Sequence, residues 1–340
     1  MTARPIRSSA ALVLSVLAVG FARGGPPTRE QGERRLKLAA ELKAVLAGDT
    51  TPADKVAALA RAYRAEPDPD IRRVVFDSLP DQPDGTLDAF LTDVLTGDAD
   101  SGIRSLAAKA LGSRGTDKCL PALVKAAAAD KMTEFQMGCV VGKGTARRAA
   151  TFAVAELAAR YPRLADAAAA ELRRLTPPDD PTDNESLADA RVQALYQVTR
   201  DEKLLTPFLE RLRSKDAKVR DRGAVAFQFF KLKAAPPELV AALSDPDPGV
   251  RAWAELAVGG IGDPKTVPLL MAVAGDVKKD AGDRCGAIHS LGRMRAAVAT
   301  DLVRKLLADE SQAVQTAAAI ALYRLTGEKV KQFPPGYNAD

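Results

Sequence analysis

Histidine is almost absent: a single one, His289, stands in 340 residues. That excludes a mechanism built on a histidine pair and any multi-histidine metal centre. The three cysteines, Cys119, Cys139 and Cys285, are odd in number and widely spaced, which fits neither a disulfide framework nor a metal site. Cys119 and Cys285 fall in segments read as helical, where a free cysteine is a small buried apolar residue. Cys139 lies in a stretch read as irregular and is the one thiol worth testing for reactivity. Aromatic residues make up only 5% of the chain, with one tryptophan, Trp253. Charge of one sign is also missing. Lys and Arg number 49 against 44 Asp and Glu, a formal net of +5, and no Lys/Arg block marks a nucleic-acid footprint.

Long apolar runs are confined to one place, Ala10 to Ala22. Arg4 and Arg7 precede this run, Gly20 and Ala22 stand at −3 and −1 of a cleavage point after Ala22, and Gly24-Gly25-Pro26-Pro27 follows. The pattern predicts a secretory signal peptide over residues 1–22 and export to the periplasm or cell envelope. The alternative is an uncleaved anchor, for which 13 residues is short of the roughly 20 that span a bilayer. Cleavage would remove two arginines and no acid, lowering the net charge from +5 to +3.

What the chain has in excess is alanine, in runs such as Ala126 to Ala129 and Ala167 to Ala170. Alanine is the strongest helix former, and its small side chain suits helices in close contact. Aligning the segments that read apolar-Arg-x-x-small gives eight rows. Arg72, Arg104, Arg147, Arg191, Arg220, Arg251 and Arg284 share one column and Gln315 closes it, at spacings of 32, 43, 44, 29, 31, 33 and 31. Three positions on, all but Val75 are Ala or Gly; seven positions on, all are apolar, from Leu79 to Leu322. Between them, six positions on, stand Ser78, Ala110, Ala153, Gln197, Ala226, Ala257, Ser290 and Ala321, and these offsets of 3, 6 and 7 place the columns on one helical stripe. A second apolar segment precedes most rows, as in Leu120-Pro121-Ala122-Leu123-Val124, so each repeat reads as two helices. Asp, Pro and Gly supply N-caps and turns between them. No convincing period-2 strand competes. The predicted fold is all-α, a right-handed α-solenoid of about eight two-helix repeats over residues 51–326. Residues 23–50 read as a linker and capping helix, and 327–340 as a tail.

Rows such as Asp247-Pro248-Gly249-Val250-Arg251-Ala252-Trp253-Ala254, running on to Gly262-Asp263-Pro264, resemble HEAT repeats. They are similar in particular to the short HEAT-like type of phycobilisome lyases and of exported bacterial HEAT-repeat proteins. The resemblance spans residues 50–326 or so. The tail Phe333-Pro334-Pro335-Gly336-Tyr337 departs from those exported relatives in lacking a tryptophan. Such arrays usually bind proteins through an extended concave surface, so the resemblance implies a protein partner and no cofactor. HEAT-repeat hydroxylases hold iron with several His-Glu pairs, which one histidine cannot supply. HEAT-like DNA glycosylases need a basic, aromatic groove that this near-neutral chain lacks. The resemblance also implies that the arginine column joins neighbouring repeats as a structural ladder. The acids expected to pair with it lie just upstream: Asp70, Asp100, Asp189, Asp216, Asp247 and Asp283.

Two breaks in the period carry the functional expectation. Spacings of 43 and 44 mark insertions at residues 131–145 and 176–186, both read as lying between the two helices of a repeat and hence on one edge of the solenoid. The first is read as a loop carrying Met132, Phe135, Met137, Val140 and Lys143, which suits an adaptable partner surface; the competing reading is that it folds back over its own edge. Gly142-Lys143-Gly144-Thr145 misses the Walker spacing, since Gly138 stands too close to Gly142. The second insertion is acidic and Pro-rich and reads as a solvated linker. Trp253 lies off the core stripe and joins the partner-binding candidates, whereas His289 reads as a packing or surface residue. The expected function is a non-catalytic, monomeric protein-interaction scaffold. The alternative is a cofactor-protein lyase, or another enzyme of that type, working from the insertion edge.

Overall fold

A computed structural model describes residues 28–79, 85–137, 140–175 and 184–334. Residues 1–22, where the signal peptide is expected, Cys139, and most of the second insertion lie outside them. Among the described residues the chain is all-α but for one hairpin, and it divides into two compact units, with the boundary before Leu205.

The first unit begins with α1 (Arg29–Ala47) and continues through four helix pairs: α2 (Pro52–Ala65) with α3 (Pro69–Asp77), α4 (Asp88–Gly97) with α5 (Ser101–Arg114), α6 (Leu120–Ala129) with α7 (Arg147–Arg160), and α8 (Ala165–Arg174) with α9 (Asn184–Thr199). The second unit holds four more: α10 (Thr206–Leu212) with α11 (Ala217–Ala226), α12 (Pro237–Ala241) with α13 (Pro248–Ile261), α14 (Val267–Gly275) with α15 (Ala281–Arg293), and α16 (Thr300–Leu306) with α17 (Gln312–Thr326). The eight aligned rows are the eight second helices.

Local chemistry starts these helices where they start. Thr28 and Gln31 form a reciprocal capping box on α1. Thr51, Asp68, Asp100, Asp216, Asp247 and Asp280 each accept from an N–H of the first turn behind them. Pro52, Pro69 and Pro248 occupy first helical positions, where the missing N–H costs nothing.

Within each unit, second helices stack on second helices: α5 on α7, α7 on α9, α13 on α15 and α15 on α17. The alanine excess finds its place here. A Cβ on Gly112 would stand 2.9 Å from the Ala153 Cα, and one on Gly292 would stand 2.9 Å from the Ala321 Cα. Backbones this close tolerate only hydrogen or a methyl group between them. Larger side chains fill the space between first and second helices, as with Phe208, Phe227 and Phe230 in the second unit, all fully buried. The Phe208 and Phe230 rings meet edge-on at 4.8 Å. The helix α1 packs on α3 in the manner of a second helix, but no first helix precedes it among the described residues. A groove of about 670 Å³ lies along this pair, with Leu36 74% exposed at its rim.

The sequence reading of residues 131–145 as an irregular loop is corrected by the structure. Thr133–Met137 (β1) and Val140–Gly144 (β2) form an antiparallel hairpin, in register Thr133↔Gly144 through Met137↔Val140. Each strand is short, and Gly142 and Gly144 interrupt the alternation of the second, so local pattern gave little sign of strands.

Candidate protein-interaction edge

Asp130, the residue that ends α6, closes the base of the hairpin. Its carboxylate takes the Arg104 guanidinium at both oxygens, Nε to Oδ1 at 2.8 Å and Nη2 to Oδ2 at 3.0 Å. The second of these oxygens also accepts the Ala146 N–H at 2.6 Å, from the far end of the insertion. Arg104 continues into the hairpin, donating to the Thr133 hydroxyl at 3.0 Å and the Lys131 carbonyl at 2.6 Å. This pair is 4% and 7% exposed. A buried ion pair holds only when its remaining donors are satisfied, and here they go to the start of the insertion and to the Asp98 and Ala99 carbonyls before α5.

The start of α5 then binds the outer side of β1. Asp100 caps Ile103 with one oxygen and accepts the Gln136 N–H with the other, each at 2.8 Å. Ser101 donates to the carbonyls of Thr133 and Glu134 at 3.3 and 3.4 Å, and Arg73 donates to that of Gln136 at 3.4 Å. Phe135 is half-buried against α5, its Cβ 3.3 Å from where a Cβ on Gly102 would stand. The hairpin thus folds back on its own edge, with Phe135 as its anchor. Met132, at 48%, and Lys143 remain exposed; Met137 and Val140 pair with each other at the end of the ladder.

Because Glu134 and Gln136 turn their main-chain groups toward α5, the antiparallel alternation turns those of Val141 and Lys143 away from β1 on the other strand. Among the described residues no helix or strand pairs with that edge. At the base of the hairpin, beside Thr133 of β1, the ends of α4 and α6 bound a cleft of about 450 Å³ lined by Arg104 and by the exposed Lys125 and Lys131.

The arginine column does connect repeats, but through aspartates other than most of those expected. Arg72 pairs with Asp98 at 3.3 Å, Arg220 with Asp245 at 2.7 Å, Arg251 with Asp283 at 3.0 Å and Arg284 with Asp309. Apart from Asp283 these acids lie just past the first helix of the following repeat. Asp100, Asp216 and Asp247, expected as partners of the arginines just after them, spend their carboxylates as N-caps instead. Arg147 and Arg191 bond to the carbonyls of Asp130 and Leu175, at 3.2 and 2.9 Å.

Groups suited to covalent or acid-base chemistry are turned the wrong way. Burial pushes the Cys119 thiol up to about 12 and the Cys285 thiol up to about 11, away from the thiolate a nucleophile needs. His289 is half-buried, and burial with two arginines pushes it down to about 4. Among the described residues no cluster of His, Cys, Asp and Glu could hold a metal ion, and no helix is long and apolar enough to cross a membrane. The residue that sequence reasoning missed is Glu255. It is 2% exposed on α13, and burial, with Asp283 nearby, pushes its carboxyl up to about 9.

The HEAT-repeat family profile matches residues 54–137 and 205–281, one stretch in each unit. Over those stretches the chain matches HEAT repeats, and its fold is that of an α-helical repeat solenoid. Among solved structures it is similar to Escherichia coli YibA, at 17% identity over 89% of this chain and 99% of that one, TM-score 0.40. It is also similar to human deoxyhypusine hydroxylase, at 15% over 81% and 97%, TM-score 0.33, and to Kap121p, at 13% over 86% and 35%, TM-score 0.39. No curated protein matches the chain.

Proposed function

We propose that this chain is a non-catalytic protein-interaction scaffold and that the hairpin edge of its first unit receives the partner. The observation that carries the reading is the fixed hairpin. A buried Arg104–Asp130 pair and the start of α5 hold β1, which leaves the β2 edge pointing outward. A strand edge with unpaired main-chain groups is a template for an extended peptide, with main-chain bonds giving affinity and neighbouring side chains giving selectivity. Lys143 lies on that edge, and the cleft at Lys125 and Lys131 opens at the base of the hairpin, beside Thr133 of β1. The raised thiols and the lowered histidine support the absence of catalysis. The charged-then-apolar pattern of residues 1–22 supports export to the cell envelope, where the partner would be found; N-terminal sequencing of the chain recovered from that compartment tests this part, and a start upstream of Arg23 counts against cleavage.

The test of the scaffold is an envelope-fraction pull-down with the wild type and a variant in which residues 133–144 are replaced by a short Gly-Ser link. The reading expects the variant to melt cooperatively and lose a partner that the wild type recovers. Identical partner sets for the two chains would contradict it.

A further inference from the structure

In the second unit, the turns that lead from each second helix into the next repeat lie at the end of those helices away from the arginine ladder. The helices α11, α13 and α15 stack in order, and bonds tie their ends together. Asp263, after α13, accepts the Ala235 N–H from the turn after α11 at 3.1 Å. Arg293, at the end of α15, donates to the Leu256 carbonyl of α13 at 3.2 Å. The three turns therefore form one row, and each carries an exposed cation: Lys233, Lys265 and Arg295. Of the large apolar side chains exposed among the described residues of this unit, Leu269, Val277 and Val298, two belong to the same row. Leu269 stands in the first turn of α14, and Val298, at 72% exposure, in the turn after α15.

The backbone does not account for the arginine. Arg295 and Gly262 hold the same place, eleven residues after Arg284 and Arg251, at φ +49° and +74°. Glycine takes this left-handed conformation freely and a residue with a Cβ does not. Glycine would close the turn after α15 as it closes the one after α13, so the cation is kept there at a cost, which is a mark of use.

Nearby acids leave the charge uncompensated. Among the described residues no carboxylate pairs with Lys233, Lys265 or Arg295, whereas Arg213, Arg220, Arg251, Arg284 and Arg304 of the same unit each hold one. Asp263 is buried and spends its carboxylate on the Ala235 and Lys265 N–H groups. Glu328 pairs with Arg304 and Glu238 with Arg213. Asp301, exposed in the first turn of α16, lies three residues before Arg304 and acts on it.

A row of unpaired cations with bare aliphatic side chains between them fits a lipid surface, where the cations meet anionic head groups and the aliphatic tips enter the interface. A nucleic-acid backbone or an acidic peptide would use the cations but gives Val298 and Leu269 no role. We propose that this edge seats on a membrane surface bearing anionic lipids, with Val298 and Leu269 entering the head-group layer among Lys233, Lys265 and Arg295. The edge lies in a different unit from the hairpin and stands or falls independently of it.

The full chain is sedimented with phosphatidylcholine vesicles, plain or containing phosphatidylglycerol. The readout is the ratio of binding to the two, so that the apolar run Ala10 to Ala22, common to every variant, cancels. The wild type is expected to prefer the anionic vesicles, and added salt to reduce the preference. Lys265→Gln and Arg295→Gly are each expected to lower it about fivefold at unchanged melting. Val298→Ser is expected to weaken binding to the anionic vesicles roughly tenfold, and Lys143→Gln in the hairpin to behave as the wild type. The proposal is overturned if the wild type shows no preference, if the edge variants bind as the wild type does, or if Lys143→Gln lowers the ratio as much as they do. Soluble polyglutamate that binds the edge while the anionic vesicles do not would assign it to an acidic protein and overturn the proposal as well.

Discussion

At the residue scale, Glu255 shows how a glycine one repeat away decides the chemistry of a side chain. A Cβ on Gly286 would stand 1.8 Å from the Glu255 Oε2, so the carboxyl occupies the space that the glycine leaves on α15. Sealed there, it stays protonated up to about pH 9, against 4.5 for an ordinary glutamate. The folded chain therefore binds a proton that the unfolded chain releases above pH 4.5. Stability from this residue is fully present below that pH and is lost as pH rises toward 9, by at most about 1.4 kcal/mol per pH unit. His289 acts in the opposite window, since its folded value of about 4 lies below the ordinary 6.5. It destabilises the fold as pH falls from 6.5 to 4, so above pH 6.5 the falling slope belongs to Glu255 until the raised Cys119 and Cys285 thiols join it as pH nears 9. Urea melts of the wild type between pH 6.5 and 9 are expected to show falling stability, and Glu255→Gln is expected to flatten that slope; equal slopes would refute the assignment. Gly286→Ala displaces the carboxyl and is expected to cost about 1–3 kcal/mol in the same melts. None of this is visible in the sequence, where Glu255 and Gly286 belong to different rows and nothing local links them.

At the element scale, the second helices are legible because their columns repeat eight times. Offsets of 3, 6 and 7 from the arginine are dictated by helix geometry, and Ala153, Ser290 and Ala321 stand where a neighbouring glycine brings the backbones close. The arginine partners are less legible. An aspartate four residues upstream of an arginine looks like its salt-bridge partner, but as an N-cap it is held by its own helix, as Asp100 is by Ile103. The true partners, Asp98 and Asp130 among them, lie near by virtue of the next repeat's packing alone. The hairpin was hidden for the same reason, since Arg104, Asp100 and Ser101 hold it from outside the insertion. Arg104→Ala leaves Asp130 buried and unpaired and is expected to cost about 3–5 kcal/mol. Arg147→Ala, which removes only a 3.2 Å bond to a carbonyl, is expected to cost about 1 kcal/mol. Thermal melts that rank the two variants in the reverse order would contradict the clamp.

At the scale of the whole molecule, eight similar rows become two units of four repeats. Each unit has its own core and its own match to the HEAT family. Sequence periodicity does not reveal that division, because the step between the rows at the boundary, from Arg191 to Arg220, is an ordinary one for this array. In repeat proteins each repeat contacts its neighbours, so four stacked repeats are enough to fold. Fragments 28–204 and 205–340, expressed separately, are each expected to melt cooperatively by circular dichroism; an unfolded fragment would show that the units depend on each other. The scaffold reading makes its sharpest commitment at one strand edge of the first unit. Amide hydrogen exchange of the full chain, alone and bound to the partner recovered by the pull-down, tests that commitment most directly. The account predicts that the Val141 and Lys143 amides exchange rapidly in the free chain and become protected in the complex. Equal exchange at these two amides in both states would contradict it.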